Sequence, residues 1–156
     1  MLKIHTQLLD ATSAKAKASA RKRMNHNFHT ELTDTLQRML NALEPDTYIR
    51  PHKHENPDKH EVFILLRGKA AAFEFDDTGN VTDTFILDPL QGNFGVEIAP
   101  KVWHTVISLA ENSMVYELKD GPYQPIDDKN FASWSPEETS DYRFEYLQSL
   151  RKKIGY

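Results

Sequence analysis

Cysteine is absent from this 156-residue chain. That excludes a disulfide framework, a thiolate zinc site, an iron–sulfur cluster and a cysteine nucleophile. Long apolar runs are missing as well. The longest without alanine is Val62–Leu66, far short of the ~18 residues a membrane-spanning helix needs. The N-terminus carries Lys3, Gln7 and Asp10, so it offers no apolar signal-peptide core. Nor is there an overall excess of positive charge. The net charge of −4 divides as +5 over residues 1–25, −7 over 26–119 and −2 over 120–156. The basic cluster Lys15, Lys17, Arg21, Lys22 and Arg23 is then read as a solvated helix face rather than a nucleic-acid arm. The expectation is a soluble cytoplasmic protein with neither nucleic acid nor membrane as partner.

What remains is ordinary globular material, 39% apolar and 27% charged. A chain of this length can bury roughly 70% of its unfolded surface, enough for one self-sufficient domain. Thr6–Arg23, rich in alanine and lysine, predicts a short helix within an N-terminal segment 1–35. From 36 to 120, short stretches rich in Val, Ile, Phe and Tyr alternate with turn residues, the pattern of an all-β sandwich or barrel. Strands are expected near 36–43, 47–54, 61–67, 69–76, 81–87, 95–99, 102–108 and 113–119, closing as a small jelly roll. Asp77-Thr78-Gly79-Asn80 reads as a hairpin turn and Glu44-Pro45-Asp46-Thr47 as another. Residues 121–156 open with an extended strap, Gly121–Pro125. Ser135, Pro136 and Glu138 resemble a capping box for a helix to about Lys152. Tyr142, Phe144, Tyr146, Leu147 and Leu150 would supply its apolar contacts.

Among the seven histidines, three form a pattern. His52 and His54 are spaced to point to one face of a strand, and Trp103-His104 offers a third imidazole from another. The chain returns through a loop to Glu61, which would lie opposite the histidine pair. Three imidazoles and one carboxylate make a mononuclear metal site with open positions. His60 competes with Glu61, because adjacent strand residues face opposite ways; Val62, Ile64 and Leu66 are as apolar as Phe63 and Leu65, so pattern alone leaves both open. The same two-sided apolarity requires that the strand's outer face be covered, by the N-terminal segment or by a second subunit. Arg50 shares strand parity with His52 and His54, so it is expected to face the cavity, as an anion clamp or as a salt bridge at the mouth. Asn25, Asn27 and His29 either close over the metal or stitch the N-terminal segment to the barrel. Tyr123 is placed to lid the cavity or to anchor the strap.

The histidine pair, glutamate and late histidine resemble the metal site of the cupin superfamily. His52, His54, Glu61 and Gly68 match its first motif, with Asp46 in place of the leading glycine and a longer interval between His54 and Glu61. Of the second motif only His104 matches; its other positions hold Asn93, Ala99, Lys101 and Ser108. A narrower set of segments resembles the WbuC-type cupin-fold metalloproteins: 23–29, Gln37-Arg38 with 41–45, 48–54, 95–98, Trp103-His104, 119–123 and 131–134, together spanning roughly residues 5–136. This resemblance implies a cupin-type jelly-roll barrel, to which the residue pattern adds a short N-terminal helical segment and a C-terminal helix. It also implies one divalent transition metal, in a family associated with surface-polysaccharide (O-antigen) biosynthesis.

Together these readings give a metal-dependent protein acting on a small polar or carbohydrate-derived substrate, such as a sugar or nucleotide-sugar, by isomerisation or epimerisation. The alternatives are a mononuclear iron or manganese oxygenase and a non-catalytic metal-containing ligand-binding or sensor domain. The donor set accepts iron, manganese, nickel, cobalt or zinc. The doubly apolar strand 61–67 predicts a homodimer.

Overall fold

The computed structural model describes residues 1–123 and 129–156. Helix α1 (Thr6–Ala18) is followed by strands β1 (Arg23–Asn27), β2 (Leu36–Leu43), β3 (His52–Lys53), β4 (Glu61–Arg67), β5 (Ala70–Phe75) and β6 (Val81–Leu87). A 3₁₀ turn at Pro89–Gln91 leads to β7 (Gly95–Ile98), β8 (Trp103–Ser108), β9 (Ser113–Asp120), β10 (Asn130–Phe131) and helix α2 (Tyr142–Lys153). The strands form two five-stranded sheets, ordered β1-β2-β9-β4-β7 and β10-β3-β8-β5-β6. Every named strand pairing is antiparallel. This is a jelly roll, as the strand spacing predicts.

Three apolar clusters explain why so many strands are apolar on both faces. Between the sheets lie Leu43, Phe63, Leu65, Ala70, Ala72, Leu87, Ile98, Val106 and Val115. Outside the second sheet, Ala71, Phe73, Phe75 and Ile107 are covered by Leu147 and Leu150 of α2. Outside the first, Leu40, Ala42 and Met114 are covered by α1 through Ala16, Leu8 and Leu9. A strand buried on both sides loses its polar alternation. The β4–β5 turn depends on Gly68, whose φ of +84° suits a residue without Cβ, and whose Cβ would meet Ser113 Cα at 2.6 Å.

Several expectations are corrected. The N-terminal helix stops at Ala18 rather than Arg23, and residues 23–27 are an edge strand instead. Tertiary contacts override helix propensity there: the Arg23 guanidinium donates to Tyr48 O (2.7 Å) and to both Glu138 oxygens (2.6 and 2.7 Å). That bidentate pair also disposes of the capping box, because Glu138 is engaged by Arg23 and Arg21. Helix α2 therefore starts at Tyr142, with Asp141 as its N-cap. Leu147 and Leu150 are buried as expected, but Tyr142 and Phe144 are exposed. Of the expected strand 47–54 only His52–Lys53 is paired as strand, and β10 has no counterpart in the sequence reading. Of the expected strap, Gln124 and Pro125 lie outside the described residues. The turns at 77–80 and 44–47 stand, Gly79 with φ +89° and Thr47 N donating to Glu44 O at 2.9 Å.

Candidate metal centre

Strand pairing assembles the centre. His52 lies directly opposite His104 across β3–β8, and Glu61 opens β4, the strand on the facing sheet that pairs with β9. His54 follows β3. All four side chains are buried, and one ligand atom from each of His52, His54, Glu61 and His104 lies within 4.8 Å of the others. Donors around one ion at ~2.0–2.2 Å are at most about 4.4 Å apart, so small side-chain shifts from the 4.8 Å spread would bring all four onto a single ion.

Glu61 Oε2 is the focus, with His54 Nε2 at 3.0 Å and His104 Nε2 at 2.9 Å. The backbone fixes the ring tautomers. His52 Nδ1 faces Arg50 O at 3.0 Å and His104 Nδ1 faces Val102 O at 2.9 Å. Carbonyl oxygens only accept, so both Nδ1 atoms donate, and in the neutral rings the Nε2 lone pairs point into the cluster. His52 Nε2 is buried with no hydrogen-bond partner among the described residues. His104 Nε2 then sets a lone pair against a carboxylate oxygen, two acceptors that a cation between them reconciles. The donor set fits a metal, and the Nδ1–carbonyl contacts are the orienting second tier that metal-ligating histidines use.

The electrostatics agree. Burial, reinforced by the Lys129 charge, holds His52 well below the usual histidine range, so it stays neutral. Burial alone would raise the Glu61 carboxyl, but the imidazoles of His104 and His54 at its Oε2 outweigh it and hold the group well below the usual carboxylate range. Beside Glu61 sits Glu117, whose carboxyl is pushed up to about 8 by burial and then by the Glu61 charge. The cluster opens into a small cavity of about 40 Å³. Its apolar wall is Leu43, Ile49, Phe63, Val106 and Val115, and its polar residues beyond the cluster are Asn41, Glu117 and Lys129.

His60 and Glu61 lie in different surroundings. Glu61 is in the cluster, whereas His60 is exposed and its Nδ1 faces Asp120 Oδ2 at 3.4 Å. Other sequence candidates lie further away. The Arg50 guanidinium donates to Ala132 O (2.9 Å) and Ser135 Oγ (3.3 Å) and stacks over Phe131, so it faces the 131–135 segment rather than the cavity. Strand parity fails for it because β3 begins only at His52. Asn25 and Asn27 are exposed on the edge strand β1, Asn25 donating to Met39 Sδ. His29 Nδ1 accepts from Arg38 N at 3.1 Å, a stitch between the N-terminal segment and β2. Tyr123 covers the Lys119 ammonium, 5.6 Å from its ring centroid, and its N–H donates to Leu32 O.

The sequence reading missed Asn41, Glu117, Lys119 and Lys129. A signal existed in β9: Met114, Tyr116 and Leu118 alternate with Val115, Glu117 and Lys119, and the face that is polar at one end is the one turned inward.

No curated protein matches the chain in sequence. Solved structures share its fold. CapF, the capsular polysaccharide assembling protein of Staphylococcus aureus, is 19% identical with a TM-score of 0.58 over 72% of this chain, which spans only 30% of CapF. A cupin superfamily protein from Desulfitobacterium hafniense is 10% identical with a TM-score of 0.52, covering 69% of this chain and 85% of that one. KdgF from Halomonas sp. is 15% identical with a TM-score of 0.50, covering 67% and 82%. At such identities the likeness establishes the fold, a cupin jelly roll. A family model described as a domain of unknown function (DUF6016) matches residues 4–87. Matching over half of the sequence, it places the chain in the DUF6016 family, here with a cupin barrel and a buried three-histidine, one-glutamate cluster.

Proposed function

We propose that this chain is a metal-dependent enzyme of the WbuC type, acting on a small polar, carbohydrate-derived substrate in surface-polysaccharide (O-antigen) biosynthesis by isomerisation or epimerisation. The observation that carries the reading is the buried His52 Nε2, without a partner among the described residues, beside a shared Glu61 oxygen and opening into a cavity with polar groups on its wall. The bound ion would be iron, manganese, nickel, cobalt or zinc, held by His52, His54, Glu61 and His104, and it supplies Lewis acidity towards a substrate oxygen. Glu117 is placed to hold or give a proton beside it, and the apolar wall limits water. The shared fold with CapF, a capsular polysaccharide assembling protein, supports the polysaccharide setting.

Metal content per chain tests the site. His54→Ala should lose metal affinity by at least ~10–100-fold, the cost of removing even an orienting partner, while His60→Ala keeps the wild-type content. Equal content in both variants and in wild type would sink the metal reading. Product formation from a nucleotide-sugar panel supports the enzyme; turnover that requires dioxygen would make it an oxygenase, and saturable binding without product a sensor.

The reading includes a cytoplasmic homodimer. Helix α1 reaches β4 only at its end, where Arg67 donates to Asp10 (2.6 Å) and Ser13 (3.0 Å). Leu66 stays 40% exposed, with Leu90 and Phe94 exposed on the adjoining connection, an apolar surface suited to a second copy. Light scattering at micromolar concentration should give twice the 18.0 kDa chain mass; a monomer mass refutes the dimer. No helix among the described residues is long and apolar enough to cross a membrane.

A further inference from the structure

The cavity wall carries two features that the metal ligands do not use. The first is charge. Among the described residues lining the cavity, Glu61 and Glu117 are the acids and Lys129 is the base. Even with both carboxylates ionised, a divalent ion at the cluster leaves these side chains with a net positive charge in a low-dielectric pocket, an arrangement that is costly unless an anion joins it. Lys129 is the base on the wall of the open volume, and its charge acts on both His52 and Glu117.

The second feature is a hydrogen-bond deficit. Asn41 lines the same cavity, and its Nδ2 donates to Glu117 Oε2. Its Oδ1 is buried with no donor among the described residues. A buried amide oxygen left without a donor costs free energy comparable to a lost hydrogen bond. The wall therefore presents a cation that needs an oxyanion and, separately, an acceptor that needs a hydroxyl or N–H.

We infer that Lys129 and Asn41 form a substrate subsite beside the metal cluster, and that the occupant is a hydroxylated anion: a small molecule carrying a carboxylate or phosphate for Lys129 and a hydroxyl that donates to Asn41 Oδ1. A sugar acid or sugar phosphate has this chemistry, whereas a neutral sugar lacks the anion and a simple fatty acid lacks the hydroxyl. The inference rests on the metal-dependent reading of this cavity, and it narrows the substrate class.

Titration calorimetry with four probes of one carbon skeleton tests it, on both the metal-free and the zinc-loaded protein. Glycerate should bind at least ~10-fold more tightly than glycerol, which lacks the anion, and than propionate, which lacks the hydroxyls. Glycerol 3-phosphate against glycerate decides which oxyanion the site prefers. Lys129→Gln should bring glycerate down to the glycerol level without changing zinc content, and Lys129→Arg should restore much of the difference. Asn41→Leu should remove the advantage of glycerate over propionate. Glycerol binding as tightly as glycerate, or glycerate binding unchanged in Lys129→Gln, overturns the subsite. Failure to take up zinc, with glycerate still preferred, would instead count against the metal reading alone.

Discussion

Adding a divalent transition metal to the metal-free protein should raise its unfolding temperature by about 8–16 °C, and the His52→Ala variant should respond much less. The size follows from linkage. An ion that binds only the folded chain, present at 1,000 times its dissociation constant, adds about 4 kcal/mol. For a domain of this length each kcal/mol shifts the midpoint by roughly 2–4 °C. His52 is the informative residue because its Nε2 is buried without a partner among the described residues, so alanine removes a ligand and leaves the Glu61 contacts to His54 and His104 in place. The midpoint itself should also fall in acid. His52 stays neutral in the fold, well below its usual range because of burial, whereas in the unfolded chain it takes up a proton near ~6.5. Below that pH the unfolded state binds the extra proton, so stability falls as pH falls; above it this residue contributes no pH dependence. A thermal-shift titration of both proteins at pH 7.5 and pH 5.5 measures all of this. An equal shift in His52→Ala and wild type would exclude His52 as a ligand.

The legible and illegible parts of the chain divide by how local their causes are. β4 and β8 were readable because β-rich runs and turn residues lie together in sequence, and the histidine pair because its spacing alone sets both rings on one face. The choice of Glu61 over His60 was not. Outward-facing Val62 and Ile64 are as apolar as inward-facing Phe63, and only the three-dimensional register, Glu61 opposite Lys119 and Ile98, fixes which face is inside. Strand β1 and the late start of α2 share one distant cause, the Arg23–Glu138 pair, which joins residues 115 positions apart. Arg50 misled for the opposite reason: local parity assumed a strand that does not begin until His52. Glu117, Lys119 and Asn41 were missed because polar strand residues ordinarily face water, and here β2 and β9 turn part of their polar face into the barrel while α1 covers the apolar one.

Glu117 gives the other large effect. Its carboxyl is pushed up to about 8, by burial first and by the Glu61 charge next, while in the unfolded chain it titrates near 4.5. Because the folded value is the higher one, its contribution to stability is fully present below about 4.5 and is lost as pH rises through about 8. With one pKa unit equivalent to 1.36 kcal/mol, the metal-free protein should lose about 3–5 kcal/mol from this group between pH 5 and pH 9. Glu117→Gln keeps an amide of similar shape beside Asn41 and cannot ionise. At pH 9 the variant should therefore exceed wild type by about 3 kcal/mol, or roughly 6–12 °C in midpoint, and at pH 5 the two should agree within about 1 kcal/mol. Metal loading should shrink the difference at pH 9, because a divalent charge at the neighbouring Glu61 favours the ionised Glu117 and offsets the like-charge repulsion that raises it. Urea denaturation of wild type and variant at both pH values, with and without metal, reads the full cycle. If metal-free wild type and Glu117→Gln keep the same stability difference at pH 5 and pH 9, Glu117 does not titrate in this range and holds no proton beside Glu61 at neutral pH.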